Sequence, residues 1–81
     1  MDTVVIGRSS DADYSIAHDA ISRRHCRLLF DDGAVWIEDL QSSNGTVLDG
    51  RRLEPGERSR VPPDTEIVLA DEIVLDGAFL R

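Results

Sequence analysis

The chain has 81 residues, 41% of them hydrophobic, and sets nine basic side chains, all arginine, against 16 acidic ones, a formal net charge of -7. That length supplies one small core, so a single domain over residues 1–81 is expected. The apolar runs, at residues 34–37 and 67–70 among the longest, are too short for a membrane span or a secretory h-region, and the acidity argues against nucleic acid and anionic lipid as partners.

Val4, Val5 and Ile6 predict a strand that ends at Gly7. Residues 8–14, rich in Ser and Asp, predict a loop, and Tyr14 with Ile16 a very short strand. Residues 25–30 and 34–40 flank Asp31-Asp32-Gly33, a hairpin signal. Trp36 in the second of these strands is expected in the core. Residues 41–45 predict a polar loop ending in Asn-Gly. Thr46, Val47 and Leu48 then predict a strand, Asp49-Gly50 a tight turn, and Arg51 with Arg52 a solvated hairpin. Glu54-Pro55-Gly56 and Pro62-Pro63-Asp64 punctuate the next segment. Residues 66–70 and 72–75 predict β-branched-rich strands, and Asp76-Gly77 turns again before residues 78–80. No segment sustains a helical apolar period, and turn signals recur at short, even intervals. The pattern is that of an antiparallel sandwich or small barrel.

Charge is unevenly spread. Residues 1–30 are neutral, with Arg8, Arg23, Arg24 and Arg27 against four aspartates, so the second part of the chain holds the whole net charge. Three polar clusters stand at predicted strand ends: Gly7-Arg8, then Ser22-Arg23-Arg24-His25, then Ser42-Ser43-Asn44-Gly45-Thr46. They combine guanidinium, hydroxyl and amide donors, an inventory suited to holding a tetrahedral oxyanion rather than to making bonds. Ser22, His25 and Asp39 could be written as a triad, but no nucleophile elbow or oxyanion hole accompanies them, and no enzyme is expected. Cys26 follows His25 directly, so in a strand the two point to opposite faces and form no dyad. His18, His25 and Cys26 lack metal-ligand spacing, and neither metal nor cofactor is expected. The single cysteine excludes an internal disulfide and points to a reducing, cytoplasmic setting.

Taken in order, Ile6-Gly7-Arg8, Ser22-Arg23-Arg24-His25 and Asp39-Leu40-Gln41-Ser42-Ser43-Asn44-Gly45-Thr46, with Gly50 beyond, resemble the forkhead-associated (FHA) domain over residues 4–76. The resemblance implies an all-β fold, a small FHA/SMAD-like sandwich of two antiparallel sheets. It implies a phosphothreonine-dependent peptide-binding module in Ser/Thr kinase signalling, working through loops at one end. Arg8, Ser22 and Ser43 would contact the phosphate, and Arg23 the phosphate or the peptide backbone. Asn44 would hold the peptide main chain, while Gly7, His25 and Gly45 would shape the loops. Arg24 and Ser42 would be secondary. Selectivity beyond the phosphate would rest on surfaces around residues 11–19 and 49–54. The partner would be a phosphothreonine-containing protein; the alternative is a degenerate FHA scaffold that binds or self-associates without phosphate.

Two departures from the family pattern bear on structure. Met1 stands only six residues before Gly7, so the usual first strand is expected to be lacking. Residues 78–81 would cover the gap, or the open edge would pair with another chain. Near the end, Pro63-Asp64 and Leu69-Ala70-Asp71 replace the glycine-bearing turns common in the family, and Cys26 stands where Ala is common.

Overall fold

A computed structural model describes residues 2–76 and, among them, nine strands and no helix. They are β1 (Asp2–Gly7), β2 (Tyr14–Ser15), β3 (Cys26–Asp31), β4 (Ala34–Asp39), β5 (Thr46–Leu48), β6 (Arg51–Arg52), β7 (Arg58–Arg60), β8 (Glu66–Leu69) and β9 (Ile73–Asp76). One sheet has the order β2-β1-β3-β4-β7 and the other β6-β5-β8-β9. The expected two-sheet sandwich is present. One pair, β1 with β2, runs parallel through Ile6–Tyr14 and Gly7–Ser15, so the larger sheet is mixed. The carboxylate of Asp13 takes the amide of Val5 at 2.8 Å, satisfying a donor of β1 just beyond that short pairing.

Turn chemistry sets the register. Asp32 and Gly33 (φ 49° and 82°) close the β3–β4 hairpin, and Asp49 and Gly50 (φ 51° and 80°) close β5–β6. Both are two-residue turns with left-handed backbone, where Asp and Gly are favoured. The turn joining β8 to β9 uses Ala70 and Asp71 at φ 56° and 59° without a glycine, and Asp64 likewise stands at 61°. The departures noted in sequence are therefore accommodated by left-handed Asp and Ala residues.

Alternation along the strands builds the core. In β4, Val35, Ile37 and Asp39 are buried while Ala34, Trp36 and Glu38 are half-buried. Ile6, Cys26, Leu28 and Ile37 pack with Leu48, Ile67, Leu69 and Leu75 of the second sheet in one cluster. Each such aliphatic side chain contributes about 1.5–3 kcal/mol on burial. Trp36 departs from expectation. Its register places it between Leu29 and Arg60 on the outer face of the larger sheet, because its neighbours Val35 and Ile37 take the inward positions.

The polar strands β6 and β7 have no apolar alternation to reveal them. Their edges are tied together instead. Arg51 donates to both carboxylate oxygens of Glu57, at 3.3 and 3.1 Å, and to Ser59 at 3.2 Å. β9 forms the outer strand of its sheet among the described residues. Residues 78–81, expected to cover the gap of the missing first strand, lie outside the described residues.

Register gathers the three polar clusters. Ile6, Cys26 and Asp39 lie side by side, as do Thr46 and Leu69. The loops after β1, before β3, after β4 and before β5 therefore emerge at one end of the sandwich.

Candidate functional site

The core of the site is a buried imidazole. His25 has no exposed surface. Its Nδ1 accepts the backbone amide of Ser22 at 3.2 Å, so the ring hydrogen sits on Nε2, which donates to the carbonyl of Gly45 at 2.8 Å. One ring thus joins the loop before β3 to the loop before β5. Its backbone does the same for the strands: the His25 amide donates to Ile6 O, and His25 O accepts from Leu40 N. The ring and backbone of His25 thus tie these segments together.

Asp39 builds the second loop. Its buried carboxylate accepts from Ser42 Oγ at 2.5 Å, from Ser42 N at 3.1 Å and from Thr46 Oγ1 at 2.7 Å. The Ser42 hydroxyl in turn accepts the amide of Gly45 at 3.1 Å. This network turns Ser42 inward and leaves Ser43 and Asn44 on the exposed crest. In sequence, Asp39 stands out only as a triad member or motif residue. The carboxylate gives three of its acceptor sites to loop donors and so serves as a framework residue. Ser42 belongs to the framework with it.

The exposed donors sit on this frame. Arg8 donates its Nε to the carbonyl of Ile21 at 3.0 Å, which fixes the stem and leaves the terminal guanidinium nitrogens for a ligand. Its backbone amide donates to Ser22 O at 2.9 Å. Ser22 Oγ accepts the amide of Ser43 at 2.9 Å, so its own hydroxyl hydrogen remains to be donated elsewhere. Asn44 gives one hydrogen of its amide to Ala20 O at 2.8 Å, keeping its carbonyl oxygen and second hydrogen. Arg8, Ser22, Ser43 and Asn44 are thus linked across three loops: after β1, before β3, and between β4 and β5. Arg23 is exposed and, with Arg24, Ser9 and Asp11, lines an adjoining cleft of about 450 Å³, to one side of that group.

Two glycines are demanded by geometry. A β-carbon on Gly7 would lie 2.0 Å from the carbonyl oxygen of Arg23, so only glycine lets the loop before β3 pass. Gly45 has φ 91° and carries the side chain of Arg52 across its open face, where a β-carbon would stand 2.7 Å from the guanidinium carbon. Sequence reasoning assigned Arg52 to a solvated hairpin. Its approach to the loop is set by the β5–β6 register, Val47 opposite Arg52, which a sequence pattern does not display.

Cys26 is buried beneath the site, and burial, with the Asp39 carboxylate adding to it, pushes its thiol up to about 12. It is a protonated core residue. Among the described residues no group of three potential ligands is placed to hold a metal ion, and no helix is long and apolar enough to cross a membrane.

Two stacked sheets with guanidinium, hydroxyl and amide donors gathered at one end define a β-sandwich with a polar loop cluster. The model of the FHA domain family matches residues 4–70, and the chain belongs to that family. FHA domains are protein-interaction modules rather than catalytic units. The FHA domain-containing protein FhaB of Mycobacterium tuberculosis is 39% identical over 64 residues, covering 79% of this chain and 40% of FhaB. The chain thus spans less than half the length of that relative. The FHA domain of the CT664 protein from Chlamydia trachomatis superposes with a TM-score of 0.79 at 30% identity, covering 86% of this chain and 69% of that one. The N-terminal FHA domain of Rad53p from S. cerevisiae, in complex with a phosphothreonine peptide, gives 0.73 at 28% identity, covering 82% and 54%.

Proposed function

We propose that the chain binds phosphothreonine-containing proteins, as one FHA unit over residues 1–81, within Ser/Thr kinase signalling in the cytoplasm. The observation that carries this reading is the pairing of free and committed donors. Arg8 is held by its Nε and Ser22 by its Oγ acceptor, so the terminal guanidinium nitrogens and the hydroxyl hydrogen are left for an oxyanion. A phosphate ester carries about -1.5 to -2 charge near neutral pH. Bonds to it from charged or hydroxyl donors contribute roughly 1.5–3 kcal/mol each. Ser43 supplies a second hydroxyl, Arg23 a further cation beside the site, and Asn44 an amide for the peptide main chain. The complex of the Rad53p domain with a phosphothreonine peptide supports the same assignment.

The test is binding of one peptide sequence carrying phosphothreonine, phosphoserine or threonine, followed by fluorescence anisotropy. Saturable binding of the phosphothreonine form is expected. The phosphoserine form should bind more weakly by about fivefold, the worth of one methyl group of roughly 1 kcal/mol. Equal binding of the phosphothreonine and threonine forms overturns the reading.

A further inference from the structure

β6 presents two adjacent arginines with opposite fates. Arg51 is committed: Glu57 holds it through two hydrogen bonds, and Ser59 takes a third. Arg52 points to the other face and has no hydrogen-bond or ion-pair partner for its guanidinium among the described residues. It is not directed away from the molecule. Its Nε and Cζ lie over Gly45, within 2.8 and 2.7 Å of where a β-carbon would stand. Gly45 follows Asn44 directly and is anchored from the opposite side by His25 Nε2 and by the amide of Ala70 at 3.0 Å. The position of the loop under Arg52 is therefore fixed from within, and the cation is held at the rim of the recognition end by the register of Val47 with Arg52.

A fixed glycine floor thus holds an uncommitted guanidinium next to Asn44. We propose that Arg52 recognises an acidic side chain, Asp or Glu, flanking the phosphothreonine on the Gly45 side. The proposal rests on the phosphothreonine reading and adds to it a specificity-determining residue. The chemistry favours a carboxylate because a guanidinium fork matches its two oxygens. The setting favours one as well: the chain is acidic overall, so a positive rim position selects against its own surroundings and gives direction to the approaching peptide.

The experiment uses phosphothreonine peptides with alanine flanks and a single Asp moved through each flanking position, together with the unphosphorylated all-alanine control. They are titrated into the wild-type chain and into Arg52→Gln, Arg52→Ala and Arg52→Glu. Because the Arg52 side chain is exposed and makes no hydrogen bond among the described residues, all three variants should fold, and circular dichroism checks that they do. In the wild type, Asp at one position should raise affinity by about three- to fivefold, the range of a partly exposed ion pair. Arg52→Gln and Arg52→Ala should abolish that gain while keeping the affinity for the all-alanine phosphopeptide. Arg52→Glu should invert it, so that Arg at the same position is favoured. If binding is phosphate-dependent but no position gains, or the gain survives all three substitutions, the Arg52 assignment is overturned and the phosphothreonine reading stands. If phosphorylated and unphosphorylated peptides bind alike, both are overturned.

Discussion

The side-chain oxygen of Ser22 accepts the backbone amide of Ser43 at 2.9 Å, across 21 positions of sequence. This one bond locks two of the recognition loops together. It also occupies a lone pair of the Ser22 hydroxyl and leaves its hydrogen to be donated elsewhere. Ser22→Ala removes both functions at once. The expected result is at least a tenfold loss of phosphopeptide affinity, from one charge-assisted bond of roughly 1.5–3 kcal/mol. Thermal stability should fall only slightly, because the site is not sealed from water. Titration calorimetry and a melting curve separate the two effects; unchanged affinity would remove Ser22 from the site.

Arg8 offers a geometric test of its own. Its Nε is committed to Ile21 O, an anchor that lysine lacks. Arg8→Lys keeps the charge but loses both the anchor and the fork, so affinity should fall by about tenfold or more. Arg8→Ala should abolish measurable binding while the amide spectrum of the sandwich stays native. A lysine variant that binds as tightly as wild type would show that charge alone suffices.

His25 carries the architecture rather than the ligand. With no exposed surface and both ring nitrogens bonded, its removal leaves Ser22 N without a partner, leaves Gly45 O with the Ala70 amide alone, and opens a cavity between the loops. His25→Ala should destabilise the fold by about 3 kcal/mol, measured by chemical denaturation. A loss below about 0.5 kcal/mol, the scale of a surface change, would contradict the role assigned to the ring.

Gly7→Ala forces a β-carbon to within 2.0 Å of a backbone carbonyl oxygen, a contact that no rotamer change relieves. The strand end or the loop before β3 must move. A destabilisation of about 1–3 kcal/mol is expected, with amide shifts concentrated at residues 22–25 and weakened phosphopeptide binding. A variant with native shifts and native affinity would be inconsistent with this packing.

The Cys26 thiol gives the pH dependence. Burial above all, with the Asp39 carboxylate adding to it, pushes the thiol up from an ordinary value of 9.0 to about 12 in the folded chain. A raised value means that the folded state favours the neutral thiol. Its contribution is complete below the unfolded value and is lost as pH rises through the window from about 9 to about 12. Thiol reagents at pH 8 should leave Cys26 unmodified in the native protein and modify it after unfolding. Stability should decline above pH 9, less steeply in Cys26→Ala. Rapid labelling of the native protein would contradict the burial described.

Much of this was legible in the chain, and what was missed has physical causes. The Asp-Gly turns and the alternation in β4 are local chemistry, and they foretold the hairpins and the sandwich. The polar clusters meet at one end because each adjoins a strand that the register brings to that side. Trp36 was misplaced because a large aromatic reads as core until the inward positions of Val35 and Ile37 are counted. The strands β6 and β7 are short and polar, and pairing alone defines them. Asp39, Ser42 and Thr46 make their frame across a loop, and Arg52 reaches Gly45 across a hairpin. Neither relationship has a signature in residue spacing.

The most direct measurement is an amide chemical-shift titration with one peptide in its phosphothreonine and threonine forms. The account predicts that the phosphorylated form shifts the amides of Arg8, Ser22, Ser43 and Asn44, while those of β9 stay in place. The unphosphorylated form should leave the spectrum unchanged at the same concentration. Shifts of equal size from both forms, or shifts confined to another face of the sandwich, would contradict it.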